Sequence, residues 1–263
     1  MNGLLIYNKD DYHRNESYVD WLLQAGKEYD LNLKLVFKED FLRKGISHKD
    51  KIDFVINRSR SYEISLMFEL TNIRVFNNST ITLLGNNKLA AYRYAKDKGY
   101  AYPRVLVAWE NKNNIISKPN DGHGGQGIDL VENVDFNDGS IRLQQEFLGS
   151  LVGDIRFYII DNKIIHGVLR TSRDKIISNF TQGGDIKYYD YTAEEKAYVE
   201  GFIKDLKVDY AGIDFLLTKD NKLIFNEIED VVGSRMLSKL GINNTTDLYL
   251  EHIGKELKTV DIC

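Results

Sequence analysis

Asp214, Glu227 and Glu229 are three acids whose types and spacing could do chemistry. They belong to the run Ala211-Gly212-Ile213-Asp214-Phe215-Leu216-Leu217 and, after Thr218-Lys219-Asp220-Asn221, to Lys222-Leu223-Ile224-Phe225-Asn226-Glu227-Ile228-Glu229. With Asp220-Asn221 as a two-residue hairpin turn, Thr218 falls opposite Leu223 and Asp214 opposite Glu227. Side chains alternate along a strand, so Glu229 joins Glu227 on one face beside Asp214, with Asp230 on the other. Like charges directly opposed, about 5 Å apart at Cβ, destabilise a sheet unless they share a proton or a cation. Three hard oxygen donors suit Mg2+, whose remaining positions go to water and phosphate. The alternative is that the two glutamates point to solvent from an edge strand.

A second group is glycine-rich. Ile115-Ile116-Ser117-Lys118-Pro119 leads into Asn120-Asp121-Gly122-His123-Gly124-Gly125-Gln126-Gly127, followed by Ile128-Asp129-Leu130-Val131. The glycines fit G-x-G-x-x-G, but a dinucleotide site needs a helix directly afterwards and a strand-like run follows here. The loop lacks the Gly-Lys-Ser/Thr of a P-loop, and the chain lacks the H-R-D and D-F-G of protein kinases. What remains is a hairpin able to fold over phosphates with its backbone N–H groups, or a surface turn.

The elements that must position these groups fall into two patterns. Residues 3–7, 31–37, 53–57 and 73–76 read as strands, with helices at 18–29 and 61–70 and a polar loop at 8–15. That alternation predicts an α/β unit with a parallel sheet and ligands beyond the C-terminal strand ends, near the 8–15 loop, Arg58 and Arg60. A helix at 86–98 ends at Gly99. Short strands follow at 104–107, 115–118, 128–131 and 141–147, then a hairpin of 154–160 and 163–170 around Asp161-Asn162. A helix at 192–206 has the capping-box spacing Thr192/Glu195. The strand pair 210–218 and 222–229 and two helices close the chain. The order is α/β followed by α+β.

Composition excludes several classes. With 43% hydrophobic and 28% charged residues among 263, the chain reads as globular. A net charge of −4 offers no general attraction to nucleic acid. The single cysteine, Cys263, leaves no intrachain disulfide and no cysteine metal site. No secretory leader and no 18-residue apolar stretch is present, so a cytoplasmic protein without membrane contact is expected.

Loop and acids, in this order, resemble the ATP-grasp superfamily, most closely its RimK-like carboxylate–amine ligases, over residues 76–240. The resemblance implies an N-terminal α/β domain (1–78), a central lid lobe with the glycine flap (79–146) and a C-terminal antiparallel-sheet lobe with the metal site (147–263). It implies that Lys88, in Asn86-Asn87-Lys88, and Lys118, in Lys118-Pro119, reach ATP phosphates under a flap that includes Gly122, His123, Gly124 and Gly125. Gln144-Gln145-Glu146-Phe147-Leu148 resembles the hinge, placing Gln145, Glu146, Phe147 and Leu148 at the adenine with Phe225. Gly153-Asp154-Ile155-Arg156 resembles G-x-D-x-R, with Asp154 near the ribose. Arg170, Asn179 (in Ser178-Asn179, before Gly183-Gly184) and Arg235 are the implied catalytic residues. Asp214, Glu227 and Glu229 are the implied ligands of Mg2+, with Mn2+ as the alternative ion. Read singly, Lys88 could be a solvated helix lysine, Asp154 and Arg156 an exposed cross-strand pair, and Asn179 a turn cap.

Three departures stand out. Glu229 occupies a position usually held by asparagine, Ile177 one often held by arginine, and Asp230-Val231-Val232-Gly233-Ser234-Arg235 lacks the usual proline before glycine. The activity implied is ATP-dependent activation of a small-molecule or peptide carboxylate as an acyl phosphate and its transfer to an amine, in a monomer or a homodimer. The alternatives are a kinase of the same fold and a non-catalytic ATP-binding module. Arg58, Arg60 and Arg235 are candidates for holding substrate carboxylates.

Overall fold

The structure, a computed structural model, describes residues 1–47, 51–107, 114–124, 126–132, 140–149, 151–171 and 184–260. Its first sheet is parallel and contains β1 (Asn2–Tyr7), β2 (Asn32–Phe37), β3 (Phe54–Arg58) and β4 (Arg74–Phe76) in the order β2-β1-β3-β4. Both faces of its central strands are covered, as their unbroken apolar runs require. Leu4, Ile6 and Val55 pack with Ile64 and Phe68 of α3 (Tyr62–Glu69). Leu5, Tyr7, Phe54 and Ile56 pack with Val19 and Leu22 of α1 (Lys9–Gly26) and with Tyr249, Leu250 and Ile253 of α8 (Thr245–Val260).

Three expectations change in this half. The segment 8–15 is not a loop. Asn8 caps α1 by accepting from Asp11 N at 2.7 Å, and the helix runs from Lys9, interrupted only at Asn15 (φ −131°, ψ 20°). An unexpected helix, α2 (Lys38–Lys44), follows β2 directly. The helix expected at 86–98 is α5 (Lys88–Asp97), and a further, unexpected helix, α4 (Ser79–Asn86), precedes it. Asn87 separates them in extended conformation and caps α5 by accepting from Ala90 N at 2.9 Å.

The second sheet holds β5 (Ile115–Pro119), β6 (Asp129–Val131) and β7 (Arg142–Glu146) in the order β6-β5-β7, antiparallel. The strand expected at 104–107 amounts to a single bridge from Val105 to Gln145. The third sheet is antiparallel, β10-β9-β8-β11-β12, from β8 (Gly153–Ile160), β9 (Lys163–Thr171), β10 (Asp185–Tyr188), β11 (Tyr210–Leu217) and β12 (Leu223–Glu229). Asp161 and Asn162, at φ 53° and 55°, make the expected tight turn between β8 and β9. α6 (Ala193–Ile203) carries the expected capping box.

One face of the third sheet builds the largest core. Phe157, Phe215 and Phe225 meet Phe202 of α6 and Tyr92 of α5, with Leu143 of β7 in the same cluster. The other face meets the first sheet through Tyr158, Ile160 and Tyr210. Asn77 ties the two together: its Nδ2 donates to Tyr210 O (2.7 Å) and Asp230 O (3.2 Å), and its Oδ1 accepts from Asp209 N and Tyr210 N (3.0 Å each). No helix among the described residues is long and apolar enough to cross a membrane.

Candidate active site

The β11–β12 hairpin starts one residue away from the expected register. Leu217 pairs with Leu223 and Phe215 with Phe225, and then the ladder shifts so that Asp214 pairs with Glu227. The extra residue is Asn226. Phe225 and Ile228 both face the large core although three positions apart. Asn226 and Glu227 therefore lie together on the opposite face, an effect of bulges that strict alternation cannot produce. The expected Asp214–Glu227 pair exists because an error at the turn is cancelled by the bulge.

Both expected lysines reach this bulge. Lys118, buried on β5, donates from Nζ to Asn226 Oδ1 at 3.1 Å and to Tyr92 Oη at 3.3 Å. Burial pushes its pKa down to about 8; Lys88 pushes the same way, while Glu227 and Asp214 oppose. Lys88, the first residue of α5, lies 3.9 Å from Glu227 Oε2 and donates to Gly122 O. Two contacts moor the glycine loop to the same helix start: Lys88 N to Asn120 O (3.0 Å) and Leu89 N to Asn120 Oδ1 (2.9 Å). Gly124 (φ +64°) and Gly127 (φ +67°) take left-handed backbone that favours glycine.

The charge problem posed by the three acids is answered inside the chain. Asp214 is fully buried, and Arg156, directly opposite it on β8, donates to both its oxygens at 2.8 Å. Arg170 of β9 donates to Asp214 Oδ2 and to Asp154 Oδ1, and Arg156 Nη1 is also ion-paired with Glu229 Oε2. Burial alone would raise the Asp214 pKa; the two guanidiniums hold it well below the ordinary carboxylate value. Among the described residues no three His, Cys, Asp or Glu side chains are grouped so as to hold a metal ion. The three acids fit Mg2+ in donor chemistry, with a guanidinium set between Asp214 and Glu229. Asp154 is committed to Arg170, and neither it nor Arg156 is an exposed pair member.

At the C-terminal ends of β2 and β3 lies a cavity of about 300 Å³ lined by Lys38, Arg60, Tyr62, Asn86, Asp121 and His123, among others. It sits where the chain order in the sheet reverses around β1, the usual ligand position of such sheets. Arg60, at φ 61°, donates from Nε to Asp11 Oδ2 at 2.7 Å, while its buried Nη1 has no acceptor among the described residues. Burial, Arg60 and Lys88 push His123 down to about 3, so its ring is neutral at working pH. Arg58 is a correction: it is buried, donating to Tyr7 Oη (2.6 Å) and Val232 O (2.9 Å), and serves the core in place of a substrate.

Of the remaining expected residues, Gln145 is buried and accepts from Tyr92 Oη at 2.8 Å. Glu146 lies 3.9 Å from Arg104, and Phe147 and Leu148 are half-buried beyond the end of β7. Phe225 is a core residue stacked on Phe202, ring centroids 4.6 Å apart. Arg235 is exposed at the start of α7 (Arg235–Lys239). Gly125, Ile177, Ser178, Asn179 and Gly183 lie outside the described residues. Sequence reasoning missed Asn226 and the role of Arg156. G-x-D-x-R carried the arginine, but only the β8–β11 pairing, between segments far apart in the chain, reveals its partner.

Residues 125–251 match the family described as RimK-like ATP-grasp domain. The chain is 27% identical to uncharacterized protein MG011 of Mycoplasma genitalium over 97% of its length and 93% of that protein. It is 24% identical to a probable alpha-L-glutamate ligase of Histophilus somni over 73% of its length and 71% of that protein. The structure of D-alanine–D-alanine ligase from Bacillus anthracis complexed with ATP superposes with a TM-score of 0.70 at 16% identity, covering 98% of this chain and 99% of that chain. A RimK domain ATP-grasp protein from Sphaerobacter thermophilus gives 0.68 at 15% identity, covering 96% and 98%. The chain has the ATP-grasp fold, and its residues 125–251 match the RimK-like ATP-grasp domain.

Proposed function

We propose that the chain binds Mg-ATP between its second and third sheets and uses it to join a carboxylate to an amine. The observation that carries this reading is the meeting of Lys88 and Lys118, from α5 and β5, at adjacent residues of one bulge, Glu227 (3.9 Å) and Asn226 (3.1 Å), under the Gly122 turn. A carboxylate oxygen of the acid attacks the γ-phosphorus, and the bond to the bridging oxygen breaks to release ADP. The amine nitrogen then attacks the acyl carbon, the carbon–oxygen bond to phosphate breaks, and the nitrogen's surplus proton goes to solvent. The products are an amide, ADP and phosphate.

Phosphoryl transfer depends on positioning and charge neutralisation. Lys88 and Lys118 supply positive charge to the phosphates, and the glycine loop, with Gly122, His123, Gly124 and Gly125, covers them and keeps water from the acyl phosphate. Glu227, Glu229 and Asp214 are the residues that would hold Mg2+, or Mn2+ in its place. The ion supplies charge neutralisation to the transferred phosphoryl group. Gln145, Glu146, Phe147 and Leu148 serve the adenine; Phe225 lies in the core and Asp154 holds Arg170. Arg60, whose Nη1 has no hydrogen-bond partner among the described residues, would donate to the acid's carboxylate. Arg170, Asn179 and Arg235 complete the catalytic set. The relative named a probable alpha-L-glutamate ligase supports an amino acid or peptide as one substrate.

Purified protein with ATP, Mg2+ and a panel of acid–amine pairs should release ADP only with the correct pair, and Lys118→Ala and Glu227→Ala should lower that rate at least a hundredfold. Phosphorylated acid without amide would identify a kinase. Nucleotide binding without turnover across the panel would identify a non-catalytic module, the reading that the occupied state of Asp214 favours.

A further inference from the structure

Glu229 is paired with a residue two strands away. Arg156 projects from β8 and Glu229 from β12, with β11 between them. The residue of β11 that pairs with Glu229 is Gly212, and a Cβ there would lie 3.1 Å from Arg156 Cδ and 3.3 Å from its Nε. Glycine opens the path by which one guanidinium spans Asp214 and Glu229. Asparagine at 229 would offer it no charge; glutamate gives it a second anionic anchor.

We propose that Arg156 is a latch on the metal site, which keeps Asp214 and Glu229 from a free divalent ion so that the ion enters only as its complex with ATP. The inference rests on the Mg-ATP reading above and adds a rule of entry to it. Asp214 Oδ1 accepts from Arg156 Nε, and Oδ2 from Arg156 Nη2 and Arg170 Nη2. Glu227 is the exception, 32% exposed, with Lys88 its one described ion partner. Asp154, Asp214, Glu227 and Glu229 are matched by Arg156, Arg170, Lys88 and Lys118, four acids against four basic groups, so the site presents no net attraction to a bare cation. ATP changes the balance. Its phosphates bring the ion with them and compete for the guanidinium, which they bind as well as carboxylates do.

The test is Mn2+ binding to the full chain, read from the loss of the free-ion EPR signal, with and without ATP. Without nucleotide, Arg156→Met should bind Mn2+ at least tenfold more tightly than wild type. Gly212→Ala, which keeps every charge and whose Cβ crowds Arg156 Cδ (3.1 Å) as well as Val232 Cγ2 (3.0 Å), should shift in the same direction. Circular dichroism melts establish that each variant is folded, and Gly212→Ala carries the test if Arg156→Met is not. Equal free-ion affinity in all folded proteins, with Mn-ATP still bound by wild type, overturns the latch alone. Binding of neither Mn2+ nor Mn-ATP by wild type overturns the Mg-ATP reading beneath it.

Discussion

Asn226 Oδ1 accepts a hydrogen bond from Lys118 Nζ at 3.1 Å, and it can do so because Asn226 is the extra residue in the β12 ladder. The bulge joins a lysine of the second sheet to the acid-bearing strand of the third. Without its side chain, Lys118 keeps Tyr92 Oη as acceptor, at 3.3 Å. A hydrogen bond to a charged group contributes about 1.5–3 kcal/mol. Asn226→Ala should therefore raise KM for ATP roughly tenfold and lower the melting temperature by about 3–10 °C, with kcat little changed. Steady-state kinetics checks this, and an unchanged KM would show that the contact does not position the lysine.

Lys118 gives the site a pH dependence. Its folded pKa of about 8 lies below the ordinary 10.5 because burial disfavours the ammonium. ATP affinity should fall as pH rises through 8 and the charge is lost. Lys118→Arg should remove that inflection, since arginine stays charged. The stability effect has the opposite sense: the unfolded chain holds more protons between pH 8 and 10.5, so this group's cost is full below 8 and relieved across that window. Calorimetric titration with ATP from pH 7 to 9.5 checks the first point.

Asp230 provides a second pH signal. It is buried, its Oδ1 accepts from Asn86 Nδ2 at 2.9 Å, and burial pushes its pKa up to about 6. The folded state binds its proton more tightly than the unfolded state, so stability falls as pH rises from 3.8 to 6. The loss is at most about 3 kcal/mol. Urea unfolding of Asp230→Asn should show a flatter profile than wild type across that range. Parallel profiles would contradict the assignment.

Arg170 is the shared partner of Asp154 and Asp214, all three buried. Removing one member of a buried ion network typically costs about 3–5 kcal/mol, because a charge is left unpaired. Arg170→Ala should lose that much in chemical denaturation. Asp154→Asn in the same chain should restore part of it, since one stranded charge is removed. Additive losses would show that the pair is not coupled.

Local pattern made much of the fold legible. Apolar runs alternating with helical segments marked the first sheet, Asp161-Asn162 marked the β8–β9 hairpin of the third, and Thr192 with Glu195 marked the start of α6. Asn8 read as a loop residue and Asn87 as part of a helix, whereas both are helix caps. The site was half legible. Lys88, Lys118, Asp214 and Glu227 come together, but β8 reaches β11 only through tertiary pairing, and no periodicity in either strand announces that Arg156 faces Asp214. The bulge was invisible for the same reason: it is fixed by packing Phe225 and Ile228 into one core.

The most direct test of carboxylate activation follows oxygen. With the acid identified by the ADP-release screen and labelled with 18O in its carboxylate, mass spectrometry of the released phosphate should find one 18O per molecule, transferred through the acyl phosphate. Unlabelled phosphate alongside labelled amide, or no acid that supports ADP release, would contradict the reaction proposed for this site.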